Sequence, residues 1–163
     1  YAPLVNYADH TFGVCKKMLD DKNAIMGLGD GGAHVGFILD AGYPTWLISY
    51  WSVKQKAYSM EETVRRLTSD TANAAGLNDR GLLKVGLKAD INIIDWENVG
   101  SSDPFMTQDL PAGGKRLMQH TKGYVTTIVS GVVTYKNGKF TKERPGTVVK
   151  SVKDEEKTLE FIN

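Results

Sequence analysis

The sequence predicts an α/β region followed by a smaller β-rich region, and three observations support this class. A short apolar run at residues 25–28 has the length of a buried strand and is too short for a surface helix. Helix start and stop signals then occupy residues 43–76. From Gly81 onward, runs rich in Val, Ile and Thr alternate with turn residues. We therefore divide the chain into residues 1–78 and 79–163.

Composition excludes several classes of function. Hydrophobic residues make up 41% of the chain and charged residues 24%, as in ordinary globular proteins. A net charge of +1 gives no reason to expect a nucleic-acid partner or an acidic membrane surface. No apolar run approaches the roughly 18 residues of a membrane helix, and no signal-peptide pattern is present. Cys15 is the only cysteine, so we expect no internal disulfide and a cytoplasmic location.

Two helices are predicted from apolar periodicity. Residues 9–21 carry apolar side chains at a spacing of three or four, namely Phe12, Cys15, Met18 and Leu19. A helix beginning near Pro44 carries a dense apolar face made of Trp46, Leu47, Tyr50 and Trp51. Such an aromatic stripe more often packs in a core than lines a pocket.

Capping signals define two further helices. Ser59 and Glu62 have the spacing of a capping box, in which each side chain satisfies a free backbone amide of the other. We expect the helix they open to turn Arg65 and Arg66 toward solvent. The next short helix is predicted to end at Gly76, a glycine C-cap.

The β-rich region is predicted from alternating and β-branched runs. Four strand segments are expected, at residues 81–86, 89–95, 124–135 and 147–149. The proline- and glycine-containing residues 102–116 predict a long surface loop. Asn137 and Gly138 predict a tight hairpin turn, and residues 153–163 a charged helical tail. So few strands bury too little surface to close a core, so we expect an incomplete domain.

Asp30 is the candidate catalytic residue. It follows the apolar run directly, and Gly31 and Gly32 follow it, which leaves space beside the carboxylate. An acid at the end of a buried strand is where α/β barrels carry catalytic groups. Asp-Gly pairs also make simple tight turns, and these residues by themselves leave both interpretations open.

The remaining polar candidates are weaker. His34, four residues after Asp30, could support that site, although a histidine without a metal role is the commoner case. His10 and His120 stand outside any ligand-spaced cluster and are expected at the surface. Lys115 and Arg116 are expected to be solvated or structural, although Arg can bind a carboxylate.

Several motifs in order resemble the C-terminal part of the metal-dependent amidohydrolase superfamily. They are residues 68–72 (TSDTA), 76–77 (GL), 80–86 (RGLLKVG) and 88–95 (KADINIID). Three more are similar to the N-acyl-D-amino-acid deacylases (D-aminoacylases): residues 29–34 (GDGGAH), 109–116 (DLPAGGKR) and 129–138 (VSGVVTYKNG) with 144–146 (RPG). The resemblance extends over about residues 25–150.

The resemblance implies a TIM (β/α)8 barrel with a small β-sandwich. Residues 1–78 would supply the last barrel strand and helices, and residues 79–163 part of the sandwich. Family members use Zn²⁺ to hydrolyse the amide of N-acyl-D-amino acids. By this resemblance Asp30 is the general base and acid and a weak second-site metal ligand, while Gly31, Gly32 and His34 form a substrate-access loop.

The sequence departs from the family in its metal ligands. The family's His-x-His pair and later histidines have no counterpart here, and catalytic zinc requires three protein ligands. We therefore expect a C-terminal fragment that is inactive by itself and self-associates, or exchanges strands, through exposed barrel and sandwich edges. Two alternatives remain: a non-catalytic assembly or binding module, and a fragment of a hydantoinase-like cyclic-amide hydrolase.

Overall fold

The computed structural model describes residues 11–28 and 30–149, and within them a helical region precedes a β region. The helical region contains α1 (Gly13–Leu19), a 3-10 turn (Asp40–Gly42), α2 (Tyr43–Trp46), a π-helix (Leu47–Lys54), α3 (Met60–Leu67) and α4 (Ser69–Ala74). The predicted start of the first helix at residues 9 and 10, His10 included, lies outside the described residues.

The principal hydrophobic core lies in the helical region. Its buried members are Met26, Leu47, Trp51 and Tyr58. Predicted face residues of α1 pack against it, namely Phe12, Cys15 and Leu19. Met18 does not, because 46% of its surface is exposed, and its place on the buried face was predicted wrongly.

Three residues of the predicted apolar face, Leu47, Tyr50 and Trp51, belong to this core or pack against it, whereas Trp46 is 41% exposed and its place on that face was predicted wrongly. Trp51 is buried, and Phe12 packs edge-on against it at 6.0 Å between ring centroids. Trp46 and Tyr50 stack in parallel at 4.7 Å, and Trp46 stays partly exposed. The π-helical winding of Leu47–Lys54 is a feature that apolar periodicity alone did not predict.

The start of α3 confirms one half of the predicted capping box. The Ser59 Oγ accepts a hydrogen bond from the Glu62 backbone N–H at 3.1 Å. The Glu62 carboxylate, however, accepts from Arg66 Nε at 3.0 Å and Nη2 at 2.9 Å. The prediction that Arg66 is solvated is wrong: its side chain is 14% exposed, against 54% for Arg65. Arg66 also donates to the Leu19 carbonyl at 2.7 Å, so it joins α3 to the end of α1.

The end of α4 confirms the predicted glycine cap. Gly76 has φ +70°, and its N–H donates to the Asn73 carbonyl at 3.1 Å. The Leu77 N–H donates to the Ala72 carbonyl at 2.8 Å. These two bonds form a Schellman motif, which requires a left-handed residue that glycine adopts without steric cost.

The β region is built from antiparallel ladders. A four-stranded sheet has the order β1-β6-β7-β8, with β1 at Ile91–Ile94, β6 at Tyr124–Val129, β7 at Val132–Lys136 and β8 at Lys139–Phe140. Two separate pairs join β2 (Gly100–Ser101) to β5 (Thr121–Lys122) and β3 (Phe105–Leu110) to β4 (Gly114–Met118). Asn137 and Gly138 both have positive φ, so the predicted tight turn between β7 and β8 is confirmed.

Four predictions in the β region are wrong. Residues 124–135 are not one strand, because a turn at Ser130 and Gly131 divides them into β6 and β7, which pair with each other. Residues 81–86 are not a strand, and Leu82, Leu83 and Val85 are exposed. Residues 147–149 pair with no strand of the described chain. Residues 102–116 are not a loop, because the turn at Pro111–Gly113 reverses the chain and lets β3 and β4 pair. The predicted tail helix at 153–163 lies outside the described residues.

Contacts join the two regions. The hydroxyl groups of Thr45 in α2 and Tyr124 in β6 are hydrogen-bonded at 2.8 Å. The Leu117 N–H in β4 donates to the Val35 carbonyl at 2.8 Å. The barrel, the sandwich and the boundary at 78/79 remain predictions. Within the described residues, no helix is long and apolar enough to cross a membrane.

Candidate functional site

Asp30 lies at the start of a tight turn on the surface. The Ala33 N–H donates to the Asp30 carbonyl at 2.9 Å, which closes the turn predicted for an Asp-Gly pair. The carboxylate is exposed and has no hydrogen-bond or ion-pair partner among the described residues.

The segment before Asp30 is extended but is not a strand, which corrects the predicted buried strand. Residues 24–28 pair with no strand of the described chain. Met26 is buried at 7% exposure, whereas Ile25 and Leu28 are 57% and 49% exposed. Among the described residues, no strand lies beside this segment to pair with its backbone or to cover Ile25 and Leu28.

The glycines after Asp30 have separate structural roles. A Cβ at Gly31 would lie 2.8 Å from Leu28 Cδ1, so Gly31 allows the turn to fold back onto that side chain. Gly32 has φ +96° with open space around it, so its backbone conformation is what favours glycine. Both leave the surface beside Asp30 uncovered by their own side chains.

His34 lies in the same exposed loop. Its φ is +42°, and its ring stacks on Phe37 at 5.3 Å with 27° between the planes. The Phe37 N–H donates to the His34 carbonyl at 2.9 Å. No hydrogen bond or ion pair joins His34 to Asp30, although the two residues are close in sequence.

Of Lys115 and Arg116 in the 109–116 motif, the arginine has a structural role. Arg116 donates from Nε and Nη2 to the two carboxylate oxygens of Asp109, at 2.8 and 2.7 Å. This two-point bond spans β3 and β4, and it lowers the pKa of the Asp109 carboxyl below its usual range. Lys115 is exposed. The structural interpretation of Arg116 is thereby supported.

Sequence reasoning did not assign a role to Asp90, the first of the two acids in the 88–95 motif. Asp90 accepts from Arg80 Nη1 at 3.2 Å and from the Ser130 backbone N–H at 2.8 Å. It therefore ties the segment after α4 to the turn between β6 and β7. The sequence offered one indication of this contact: Arg80, Asp90 and Ser130 each lie within one of the quoted motifs.

Comparison with known proteins gives the family. The amidohydrolase family model matches residues 6–135. The chain belongs to the amidohydrolase family. No curated protein and no solved structure matches it. This membership indicates that the protein is a hydrolase of the amidohydrolase superfamily.

The described part of this amidohydrolase does not fit a metal site. Superfamily members are usually metal-dependent, and zinc takes at least three protein ligands at a catalytic centre. Residues 11–28 and 30–149 bring together no group of three or more His, Cys, Asp or Glu side chains. His120 instead packs its ring against Phe105 at 4.8 Å, and Cys15 packs at the edge of the core.

A cleft in the amidohydrolase chain lies away from Asp30. It has a volume of about 440 Å³ and is lined by Ser52, Val53, Lys56, Tyr58, Ser59, Met60, Trp96 and Glu97. These side chains come from the end of the π-helix, the connection to α3 with its first residue, and the segment after β1. Sequence reasoning did not find it, because residues 52–60 meet the distant Trp96 and Glu97 only in the folded chain, and none of these residues belongs to the family motifs.

Proposed function

We propose that this amidohydrolase chain is the C-terminal part of an enzyme that hydrolyses the amide bond of N-acyl-D-amino acids. The observation that carries the proposal is the Asp30 carboxylate. It occupies the acid position of the 29–34 motif, it is exposed, and it has no partner among the described residues. Family membership supports the reaction class, and the 109–116 and 129–138 motifs support the deacylase.

In this proposal Asp30 moves protons during amide hydrolysis. Its carboxylate accepts a proton from the attacking water and returns it to the leaving amine, as a carboxylate beside the scissile bond can do. Gly31 and Gly32 place no side chain beside it, which leaves room for the substrate. The exposed turn holds the carboxylate without an ion pair that would compete with this role.

The proposal assigns Zn²⁺ to the complete enzyme. The described residues do not form a zinc site, so the required ligands would come from residues other than these. Asp30 would contribute at most a weak ligand to a second site. We derive no catalytic step through the metal from this chain.

A non-catalytic assembly or binding module is the second candidate. It is favoured by the lack of a metal-ligand group in residues 11–28 and 30–149. A hydantoinase-like activity on cyclic amides is the nearest alternative within the enzyme class. One set of measurements separates the three.

The test is zinc content and hydrolysis of N-acetyl-D-amino acids, N-acetyl-L-amino acids and hydantoins. Both the 163-residue polypeptide and the complete gene product are assayed. We expect zinc and activity on the N-acetyl-D-amino acids in the complete product and neither in the 163-residue chain. Hydantoin cleavage as the main activity would favour the cyclic-amide hydrolase, and inactivity of both would favour the module.

The role of Asp30 is tested in whichever form is active. Asp30→Asn removes the base while it preserves size, and we expect kcat to fall by a factor of about 10²–10⁴. Asp40→Asn is the matched control, because Asp40 is also an exposed acid with no side-chain partner among the described residues. Unchanged kcat in Asp30→Asn would refute the assignment.

A further inference from the structure

The turns that follow Asp30 are bonded to the hairpin formed by β3 and β4. We call residues 30–38 the Asp30 loop and residues 105–118 the β3–β4 hairpin. We propose that this hairpin positions the Asp30 carboxylate through a backbone hydrogen bond from Leu117 to Val35. This rests on the proposed function, in which Asp30 is the general base and acid, and it makes Leu117 a positioning residue.

The Asp30 loop consists of two successive turns. The Ala33 N–H donates to the Asp30 carbonyl at 2.9 Å, and the Phe37 N–H donates to the His34 carbonyl at the same distance. Val35 belongs to the second turn. A displacement at Val35 is therefore passed to Asp30 through two short turns. This matters because a general base must lie within hydrogen-bond reach of the proton that it accepts.

The β3–β4 hairpin meets this loop at the outer edge of β4. Leu117 in β4 is paired with Met106 in β3, and the Leu117 N–H donates to the Val35 carbonyl at 2.8 Å. An N–H that bonds away from its own ladder belongs to a non-hydrogen-bonded pair of an antiparallel ladder. The bond to the Asp30 loop is therefore made without loss of a bond between β3 and β4.

The chain that follows the Asp30 loop also lies close to the end of β4. A Cβ at Gly42 would lie 3.2 Å from the Gln119 Oε1, so the glycine allows this close approach. Gln119 is itself held, because its Nε2 donates to the Ser102 carbonyl at 2.9 Å. The loop and the residues after it thus approach the hairpin at two places, which favours a fixed orientation of the loop.

A cross-strand bond within the hairpin supports its shape. Arg116 donates to both carboxylate oxygens of Asp109, and the register of the ladder shifts between Thr107 and Leu110. Because two strands by themselves make a marginally stable hairpin, this bond helps to hold the irregular part together. Both side chains are partly exposed, at 37% and 45%, so their bond adds little in water. The Leu117 bond is therefore the better target for a test.

The test is steady-state kinetics of the complete gene product on the amide substrate that it cleaves best. Leu117→Pro removes the N–H that bonds to Val35. We expect kcat to fall about tenfold, because the base is less often in place, while KM changes by less than about twofold and zinc content stays the same. Leu117→Ala keeps the N–H and should retain kcat within about twofold.

Met106→Pro is the matched control. As the other member of a non-hydrogen-bonded pair, Met106 makes no ladder bond through its N–H, and no bond joins it to the Asp30 loop. A proline at this edge position of the same hairpin should therefore leave kcat within about twofold of the wild-type value.

Hydrogen exchange measures the position of the loop without reference to activity. The amides of Ala33 and Phe37 should exchange about tenfold faster in Leu117→Pro than in the wild type, and at the wild-type rate in Met106→Pro. Circular dichroism and zinc content show whether Leu117→Pro is folded. If it is not, Asp109→Asn combined with Arg116→Gln loosens the hairpin without a backbone change, and it should lower kcat about threefold at unchanged KM.

Two outcomes would overturn the inference. Wild-type kcat in a folded Leu117→Pro, or in the double variant that replaces it, would mean that Asp30 is held without the hairpin. An equal loss of kcat in Met106→Pro would mean that the bond to Val35 has no special role. In both cases a loss of activity in Asp30→Asn would leave the proposed function standing, whereas full activity in Asp30→Asn would refute the proposed function and this inference together.

Discussion

At the scale of single residues, Tyr58 is a buried side chain of the helical region that is held by one hydrogen bond and two cations. It is buried, and its hydroxyl donates to Asp20 Oδ1 at 2.9 Å. The Arg66 guanidinium lies over its ring at 4.6 Å, and Lys16 approaches the same ring at 4.9 Å. The cluster therefore connects α1, α3 and the segment between them.

The two acids of this cluster titrate at opposite ends of the pH scale. The hydrogen bond from Lys16, at 2.6 Å, is the main cause that lowers the pKa of Asp20. Burial, followed by the hydrogen bond to Asp20, raises the pKa of Tyr58 from 10.0 to about 12. The lowered pKa gives stability that is present above the unfolded value and lost in acid. The raised pKa gives stability that is present below pH 10 and lost as pH rises toward 12.

We predict that Tyr58→Phe removes most of the alkaline loss of stability. The free energy of unfolding, measured by urea denaturation from pH 7 to 12, should fall by about 1 kcal/mol at pH 7 because one hydrogen bond is lost. Its further decline above pH 10 should then be shallower than in the wild type.

Tyr135→Phe is the control for this prediction. Tyr135 is partly exposed, and its hydroxyl has no hydrogen bond within the described chain. We expect this variant to keep the wild-type pH dependence and to change stability by less than about 0.5 kcal/mol. An alkaline decline of equal steepness in both variants would contradict the assignment to Tyr58.

At the scale of elements, glycines fix the turns between strands of the β region. Gly123 joins β5 to β6, and Gly131 joins β6 to β7, with φ values of +88° and +80°. Their surroundings differ. A Cβ at Gly123 would lie 2.5 Å from the Val99 Cα, whereas Gly131 has open space.

This difference predicts unequal effects of the same substitution. Gly131→Ala should cost about 1 kcal/mol, since only the left-handed conformation opposes the new Cβ. Gly123→Ala should cost about 1–3 kcal/mol more, because the backbone of Val99 must also move. Chemical denaturation of the two variants measures both values. Equal costs would mean that the approach to Val99 is easily relieved.

At the scale of the whole molecule, buried residues are distributed unequally. The core cluster belongs to the helical region, whereas several large side chains of the four-stranded sheet are 37–50% exposed: Ile93, Val125, Val132, Val133, Tyr135 and Phe140. Among the described residues of the β region, Val99 and Thr134 are the buried side chains. Local stability follows buried contacts, so the two regions should open at different free energies.

We predict that the amides of the π-helix Leu47–Lys54 exchange more slowly than those of β7 and β8, by about tenfold or more. Hydrogen exchange of the wild-type protein, followed by NMR, measures the difference. The measurement should be made at low protein concentration, so that association between chains does not protect the amides of the sheet from exchange. Equal or greater protection in β7 would indicate that the sheet is covered in solution.

Local sequence predicted one part of the candidate site, the turn that begins at Asp30. Asp30 and Gly31 make the expected turn because that conformation depends on a few adjacent residues. The strand before it was predicted wrongly, because residues 25–28 need partner strands that the described residues do not supply. The catalytic role of Asp30 remains a prediction for the same reason: it depends on groups beyond this turn.

The sequence by itself determined the features that local chemistry controls. The Ser59 cap, the Schellman motif at Gly76 and the turn at Asn137 all follow from the side chain or the φ preference of a few neighbours. The family also follows from the sequence, over residues 6–135. Tertiary structure decided that Arg66 is largely covered where it joins α3 to the end of α1, that β3 pairs with β4, and that residues 25–28 pair with no strand of the described chain. Each of these depends on which distant backbone or side chain is available, and short-range sequence patterns do not contain that information.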